Sequence, residues 1–149
     1  KSLLKFVKRL IKLRMSYPIL RRGLFLVGHY NEELGIKDVT WLAPEGTEMS
    51  IEQWQDPNGC CLRILLDGRD QVSCVQRAGA DATLLITVNA QHDSVDFILP
   101  EVPEGSGWTC KFDTFDPDFK NRDTLAFNST YSLNGRSMAL FELIHTDED

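Results

Sequence analysis

Histidines, carboxylates and aromatic rings are the side chains of this sequence that could do chemistry. Nucleophilic hydrolysis needs a Ser or Cys beside a base, with an acid to orient that base. His29, His92 and His145 fall in a loop, a turn and the C-terminal end, and no GxSxG sequence accompanies them. Residues in turns are mostly solvated, so each reads as a surface histidine. Glycosidase chemistry needs two carboxylates facing each other across the scissile bond. Glu52, Asp56, Asp67, Asp93, Asp113 and Asp116 are available, but a chain of net charge −6 supplies such pairs by chance. Gly105-Ser106-Gly107 is no phosphate cradle, since neither Lys-Ser/Thr nor a helix pattern follows it.

Trp41, Trp54 and Trp108, with Tyr30 and Tyr131, could stack on sugar rings. Trp41 and Trp108 lie in strand patterns and are expected in the core, where large aromatics dominate burial. Trp54 follows a helix signal within a loop, which suits either an exposed ring or a docking anchor. Cys60, Cys61, Cys74 and Cys110 form no CxxC pair and have no His at ligand spacing. Adjacent cysteines such as Cys60 and Cys61 close a disulfide only with strain. Cys110 reads as a small core hydrophobe, on one strand face with Trp108 and Phe112. Free thiols and a reducing, cytoplasmic setting follow. No metal, cofactor or catalytic residue is expected.

The elements that must carry these side chains are mostly strands. Residues 2–16, SLLKFVKRLIKLRMS, form the exception: Leu3, Phe6, Val7, Leu10, Leu13 and Ile11 make an apolar stripe at helical spacing, with basic residues elsewhere. Pro18 ends this amphipathic helix. Lys1, Lys5, Lys8, Arg9, Lys12, Arg14, Arg21 and Arg22 concentrate positive charge there, so the rest of the chain is strongly acidic. Such a helix could lie on a membrane or an acidic partner. The regular stripe favours packing against a protein core, and neither nucleic acid nor membrane is expected as a partner.

Gly23 to Gly28, Val39 to Ala43, Leu62 to Leu66 and Trp108 to Phe115 read as strands. Ser50 and Gln53 have capping-box spacing and predict a short helix. A marginal strand falls at Val72, Cys74 and Val75, and another at Thr124 to Phe127. The clearest signal is Thr83 to Pro100, read as a hairpin: Leu84, Ile86 and Val88 alternate with Leu85, Thr87 and Asn89, and alternation resumes at Val95, Phe97 and Leu99. Asn134-Gly135 predicts a second hairpin, joining 130–133 to 136–144. One helix followed by seven to nine short strands argues a mainly β fold, an antiparallel β-sandwich or a small barrel, and the sandwich is the expectation taken forward. The expected organisation is a helix over residues 1–17, a sandwich over 18–146 and a disordered acidic tail over 147–149. No apolar run reaches the roughly 18 residues of a membrane span, and no signal-peptide pattern opens the chain. Lys1 in place of Met suggests a piece of something longer.

Several ordered stretches resemble the C-terminal end of bacterial glycogen debranching enzymes of the isoamylase type, in the α-amylase superfamily. They are Leu10-Ile11-Lys12-Leu13-Arg14, then Tyr17-Pro18-Ile19-Leu20-Arg21-Arg22, then Asp38-Val39-Thr40-Trp41-Leu42 with Gly46, Glu48-Met49-Ser50 and Trp54. Leu65-Leu66-Asp67-Gly68 follows, then Leu84 to Ala90 with His92, Val95, Phe97, Leu99 and Pro100, and finally Trp108, Asp113-Thr114 and Arg136-Ser137. The turn Asn89-Ala90-Gln91-His92 departs slightly from that family's usual Asn-Ala-His-His.

The resemblance implies that residues up to about Arg14 are the last helix of a (β/α)₈ catalytic barrel, and the remainder the sandwich that follows it. A barrel of that kind needs about 250 residues, so the catalytic carboxylates would lie outside this chain and none is carried over. The expected function is a non-catalytic, stabilising accessory domain of an enzyme that hydrolyses α-1,6 branch linkages of glycogen or limit dextrin. Its partners would be the barrel and, through the parent, α-glucan. Trp54, Met49 and Trp41 are the candidates for barrel docking or glucan contact. Leu3, Phe6, Val7 and Leu10 are the candidates for self-association if their stripe is left without a partner. The alternatives are an autonomous α-glucan-binding module and an interaction domain using the basic helix.

Overall fold

The computed structural model describes residues 2–23, 25–69, 82–116 and 124–146. The marginal strand at Val72, Cys74 and Val75 and the tail 147–149 lie outside the described residues. Helix α1 (Ser2–Ser16) is followed by a 3₁₀ turn (Pro18–Arg21). Strands β1 (Tyr30–Asn31), β2 (Ile36–Lys37) and β3 (Val39–Leu42) come next, then the short helix α2 (Ile51–Gln55). Six further strands follow among the described residues: β4 (Cys61–Asp67), β5 (Thr83–Asn89), β6 (Val95–Ile98), β7 (Gly105–Asp113), β8 (Thr130–Leu133) and β9 (Ser137–His145). Every strand pair is antiparallel. The mainly β, sandwich-like fold expected from the spacing of the strands is the fold observed.

A five-stranded sheet in the order β3-β4-β5-β9-β7 stacks against a two-stranded sheet of β6 and β8. Between them lies the main core, with Leu85, Phe97, Trp108, Leu133 and Phe141 fully buried. A second apolar cluster forms on the outer face of the large sheet, where Leu66, Leu84, Phe112 and Leu140 meet Tyr17, Ile19, Leu10 and Leu13 of the N-terminal segment. The order of layers is therefore α1, large sheet, small sheet.

Both expected hairpins turn out to be corners between sheets. β5 pairs with β4 and β9, whereas β6, its successor, pairs with β8 in the other sheet. β8 likewise does not pair with β9. The cause at the first corner is Asn89: its side-chain NH₂ donates to the carbonyls of Asp93, Leu133 and Asn134, and its Oδ1 accepts from the Gln91 amide. These bonds turn the chain out of the first sheet before a hairpin ladder can form. Gly135 is required because a Cβ there would run into the His92 backbone. The positive φ of that corner falls on Arg136, at 54°.

Three further readings are corrected. Phe25 to Gly28 is not a strand, because the amides of Val27 and Gly28 donate to the Asp38 carboxylate instead of to a neighbouring chain. Phe112 does not share a face with Trp108 and Cys110. Lys111 is an extra residue against β9, a bulge that turns Phe112 to the outer cluster while Trp108 and Cys110 stay between the sheets. At Thr124 to Phe127 a single bridge, Leu125 to Trp108, replaces a strand.

Candidate functional site

Several buried carboxylates are consumed in holding loops and strand ends together. Asp38 accepts from the amides of Val27 (3.0 Å) and Gly28 (2.7 Å) and from Arg22 (3.2 Å). Burial pushes its carboxyl up, but these donors outweigh burial and hold it below its ordinary value. Asp67 takes Arg69 on both oxygens, at 3.0 and 2.7 Å, and Arg69 reaches on to Glu104 at 2.7 Å. Asp113 accepts from the Tyr131 hydroxyl (2.8 Å) and the Phe115 amide (2.8 Å). Burial, with that hydrogen bond, pushes the Tyr131 hydroxyl far up.

Arg63 is fully buried and binds carbonyls rather than a carboxylate. It donates to Ala43 and Ile98, and its guanidinium lies 5.7 Å from the centre of the Phe97 ring. Burial lowers its pKa to about 10. Arg63 thereby ties the loop after β3 to the end of β6, joining the two sheets.

Most of the remaining candidates are exposed, and Asp116 is half-buried. His92 and Asp93 form a pair at 3.0 Å on the surface of the turn after β5. His29 and His145 are exposed, as are Glu52 and Asp56 on and after α2. Cys60 is exposed, Cys61 half-buried and Cys110 buried, all as free thiols, while Cys74 lies outside the described residues. Among the described residues no three His, Cys, Asp or Glu side chains gather as a metal site, and no helix is long and apolar enough to cross a membrane. Trp108 is core as expected, fully buried with its indole N–H on the Pro100 carbonyl at 2.8 Å.

Trp41 is not core. It sits on the edge strand β3, beyond the reach of α1, and is 37% exposed. Its ring meets Trp54, 52% exposed, edge to face at 5.6 Å and 71°. Local structure builds this pair. Ser50 and Gln53 form the expected capping box, which starts α2 and fixes Trp54 on it. The Met49 amide donates to the Trp41 carbonyl at 2.9 Å and straps the loop to β3. Met49 itself is half-buried, beside a depression of about 230 Å³ that Gln53, Cys60 and Cys61 also line.

Trp41 also begins a row across the outer face of the large sheet. The strand register sets it beside Ile64, then Ile86, then Leu140 and Phe112. Leu140 and Phe112 are covered by the N-terminal segment; Ile64, Ile86, Val88 and Met138 remain only half-buried. The polar-looking residues of β5 are the ones between the sheets: Thr83, Thr87 and Asn89 are buried with Leu85. The apolar alternation Leu84-Ile86-Val88 was legible in the sequence, but not that its face is left part-covered.

α1 divides its stripe. Leu10 and Leu13 pack on the domain's own sheet, Arg9 donates to the carbonyl of the bulged Lys111 at 3.0 Å, and Phe6 is half-buried. Leu3, at 72%, and Val7, at 41%, stay exposed with Leu4 and Ile11.

Comparison with known proteins agrees with this layout. The family described as "Isoamylase, C-terminal" matches residues 38–142. The glycogen operon protein GlgX homolog of Mycobacterium tuberculosis is 29% identical over 141 residues, which cover 92% of this chain and 19% of that protein. The homolog from Mycobacterium bovis gives the same values. Isoamylase of Pseudomonas amyloderamosa is 25% identical over 111 residues, 74% of this chain and 12% of that protein. The chain thus spans a fifth or less of the curated relatives it matches. The family match begins at Asp38, which closes the loop before β3, and ends at Glu142 on β9, so it takes in both sheets and every corner described above: the chain belongs to the isoamylase C-terminal domain family.

Proposed function

We propose that this chain is a non-catalytic accessory domain of a larger glycogen-debranching hydrolase, one that cleaves α-1,6-glucosidic branch linkages. The observation that carries the reading is the part-covered outer sheet face. A row of Ile64, Ile86, Val88 and Met138 beside a half-exposed helix stripe is the surface of a domain built to be packed upon. The partner on this reading is the catalytic part of the parent, a (β/α)₈ barrel as the family resemblance implies, with α1 as the shared layer between barrel and sheet; the greater length of the relatives supports a larger parent. On this reading residues 1–17 go with the barrel and residues 18–146 with the sandwich. Asp38, Asp67 and Asp113 serve as pegs and caps, and on this reading the chemistry belongs to the barrel. A cytoplasmic setting follows, in keeping with free Cys60, Cys61 and Cys110.

Two measurements test this. The chain alone should release no reducing ends from glycogen above background; release would overturn the non-catalytic reading. Expressed beside the catalytic segment of its parent as a separate polypeptide, the chain should co-purify with it, and Ile86→Asp should abolish co-purification while leaving the far-UV circular dichroism unchanged. Undiminished co-purification of that variant would remove the outer face from the interface.

A further inference from the structure

The Trp41–Trp54 pair stands at the β3 edge of the outer face, where the row of the proposed interface begins. We propose that these two rings form an α-glucan-binding site through which the domain holds a branch of the polymer. The inference rests on the debranching reading for its ligand class and on the geometry for its place.

Three features point to a sugar. First, two indoles are exposed side by side, although burial in the core would remove their apolar surface from water. Second, their planes stand at 71° rather than parallel. Successive α-1,4-linked glucose rings turn relative to one another, so a curved chain can lay the C–H face of one sugar on one indole and bring its neighbour against the other. A flat β-1,4-linked chain cannot meet both rings in this way. Third, polar residues neighbour Trp54 in the chain. On α2, Gln55 follows Trp54 directly, and Asp56 takes the C-cap. Both are exposed, and an amide and a carboxylate are suited to sugar hydroxyls.

The pair is also held in place before any ligand arrives. The capping box fixes α2, the Met49 amide fixes the loop to β3, and the Lys37–Glu48 ion pair at 2.7 Å braces the same loop from β2. Such pre-organisation spares the site the entropy of ordering two large side chains on binding.

The test is affinity electrophoresis of the chain in gels containing glycogen, with maltoheptaose titrated against tryptophan fluorescence. Buried Trp108 is shielded from solvent, so a ligand-induced change reports on Trp41 and Trp54. Glycogen should retard the wild type. Trp54→Ala should weaken binding at least about tenfold, the scale of losing one stacked ring, and Trp54→Tyr should recover part of it. Trp41→Ala should act in the same direction. Cellohexaose should leave the fluorescence unchanged. No retardation by glycogen, or equal retardation of wild type and Trp54→Ala, overturns the site; an equal response to cellohexaose overturns the role of the ring angle. If Trp54→Ala instead loses co-purification with the catalytic segment and not glycogen binding, the pair belongs to the interdomain contact. In that outcome the glucan site fails while the accessory role stands.

Discussion

Asp38 shows how a residue that looks chemical becomes structural. Three donors converge on its buried carboxylate, two of them backbone amides that no other strand satisfies. Its carboxyl is held below the ordinary value, so the unfolded chain takes up the proton first as the pH falls. The stability it contributes is complete at neutral pH and is lost as the pH drops through about 4 and below. The melting midpoint of the wild type should therefore fall between pH 5 and pH 3 more steeply than that of Asp38→Asn, which should start lower at pH 7. Parallel pH profiles for the two would show that Asp38 is not a coupled group. That Asp38, Asp67 and Asp113 would be occupied was not legible from their types, because a carboxylate reads alike whether it caps a loop or attacks a sugar. Their partners, Arg22, Arg69 and Tyr131, lie at spacings from two residues to eighteen, and only Arg69 is a near neighbour.

At the scale of elements, period-two alternation located nearly every strand of the large sheet but not the partners of those strands. α1 and the capping box of α2 were legible because both are local, closed within four residues. The two corners were not, because each is decided by contacts with a distant segment. Asn89 bonds the carbonyls of Leu133 and Asn134, and Gly135 packs on the backbone of His92. The two corners hold each other, so Gly135→Ala is expected to act on both. Driving a methyl into the His92 carbonyl should cost about 1–3 kcal/mol, read as a lower urea midpoint with the slope unchanged. A midpoint equal to wild type would mean that the corners are free to part. The bulge at Lys111 was hidden for a related reason: one inserted residue shifts the face of everything after it without any mark of composition.

At the scale of the molecule, the question is what covers the outer face. α1 packs Leu10 and Leu13 on part of that face and turns Leu3, Leu4, Val7 and Ile11 to solvent. Studied without a partner domain, the chain should self-associate through this surface, with sedimentation velocity showing a weight-average mass that rises with concentration. The double variant Val7→Glu, Ile11→Glu should shift the protein toward monomer and leave its fold intact. A wild type that stays monomeric at high concentration would mean that α1 and the sheet together leave too little apolar area to drive association.

The sequence by itself determined the class of the fold, the place of its helices and most of its strands, and the family, because periodicity, caps and ordered motifs are written along the chain. Only the tertiary structure decided which face of each strand is the interior, that consecutive strands change sheets, and that Trp41 stands with Trp54 at an edge while Trp108 is buried. The physical reason is one of range. A strand's alternation is complete within its own residues, whereas burial, register and the meeting of two side chains depend on what the rest of the chain brings against them.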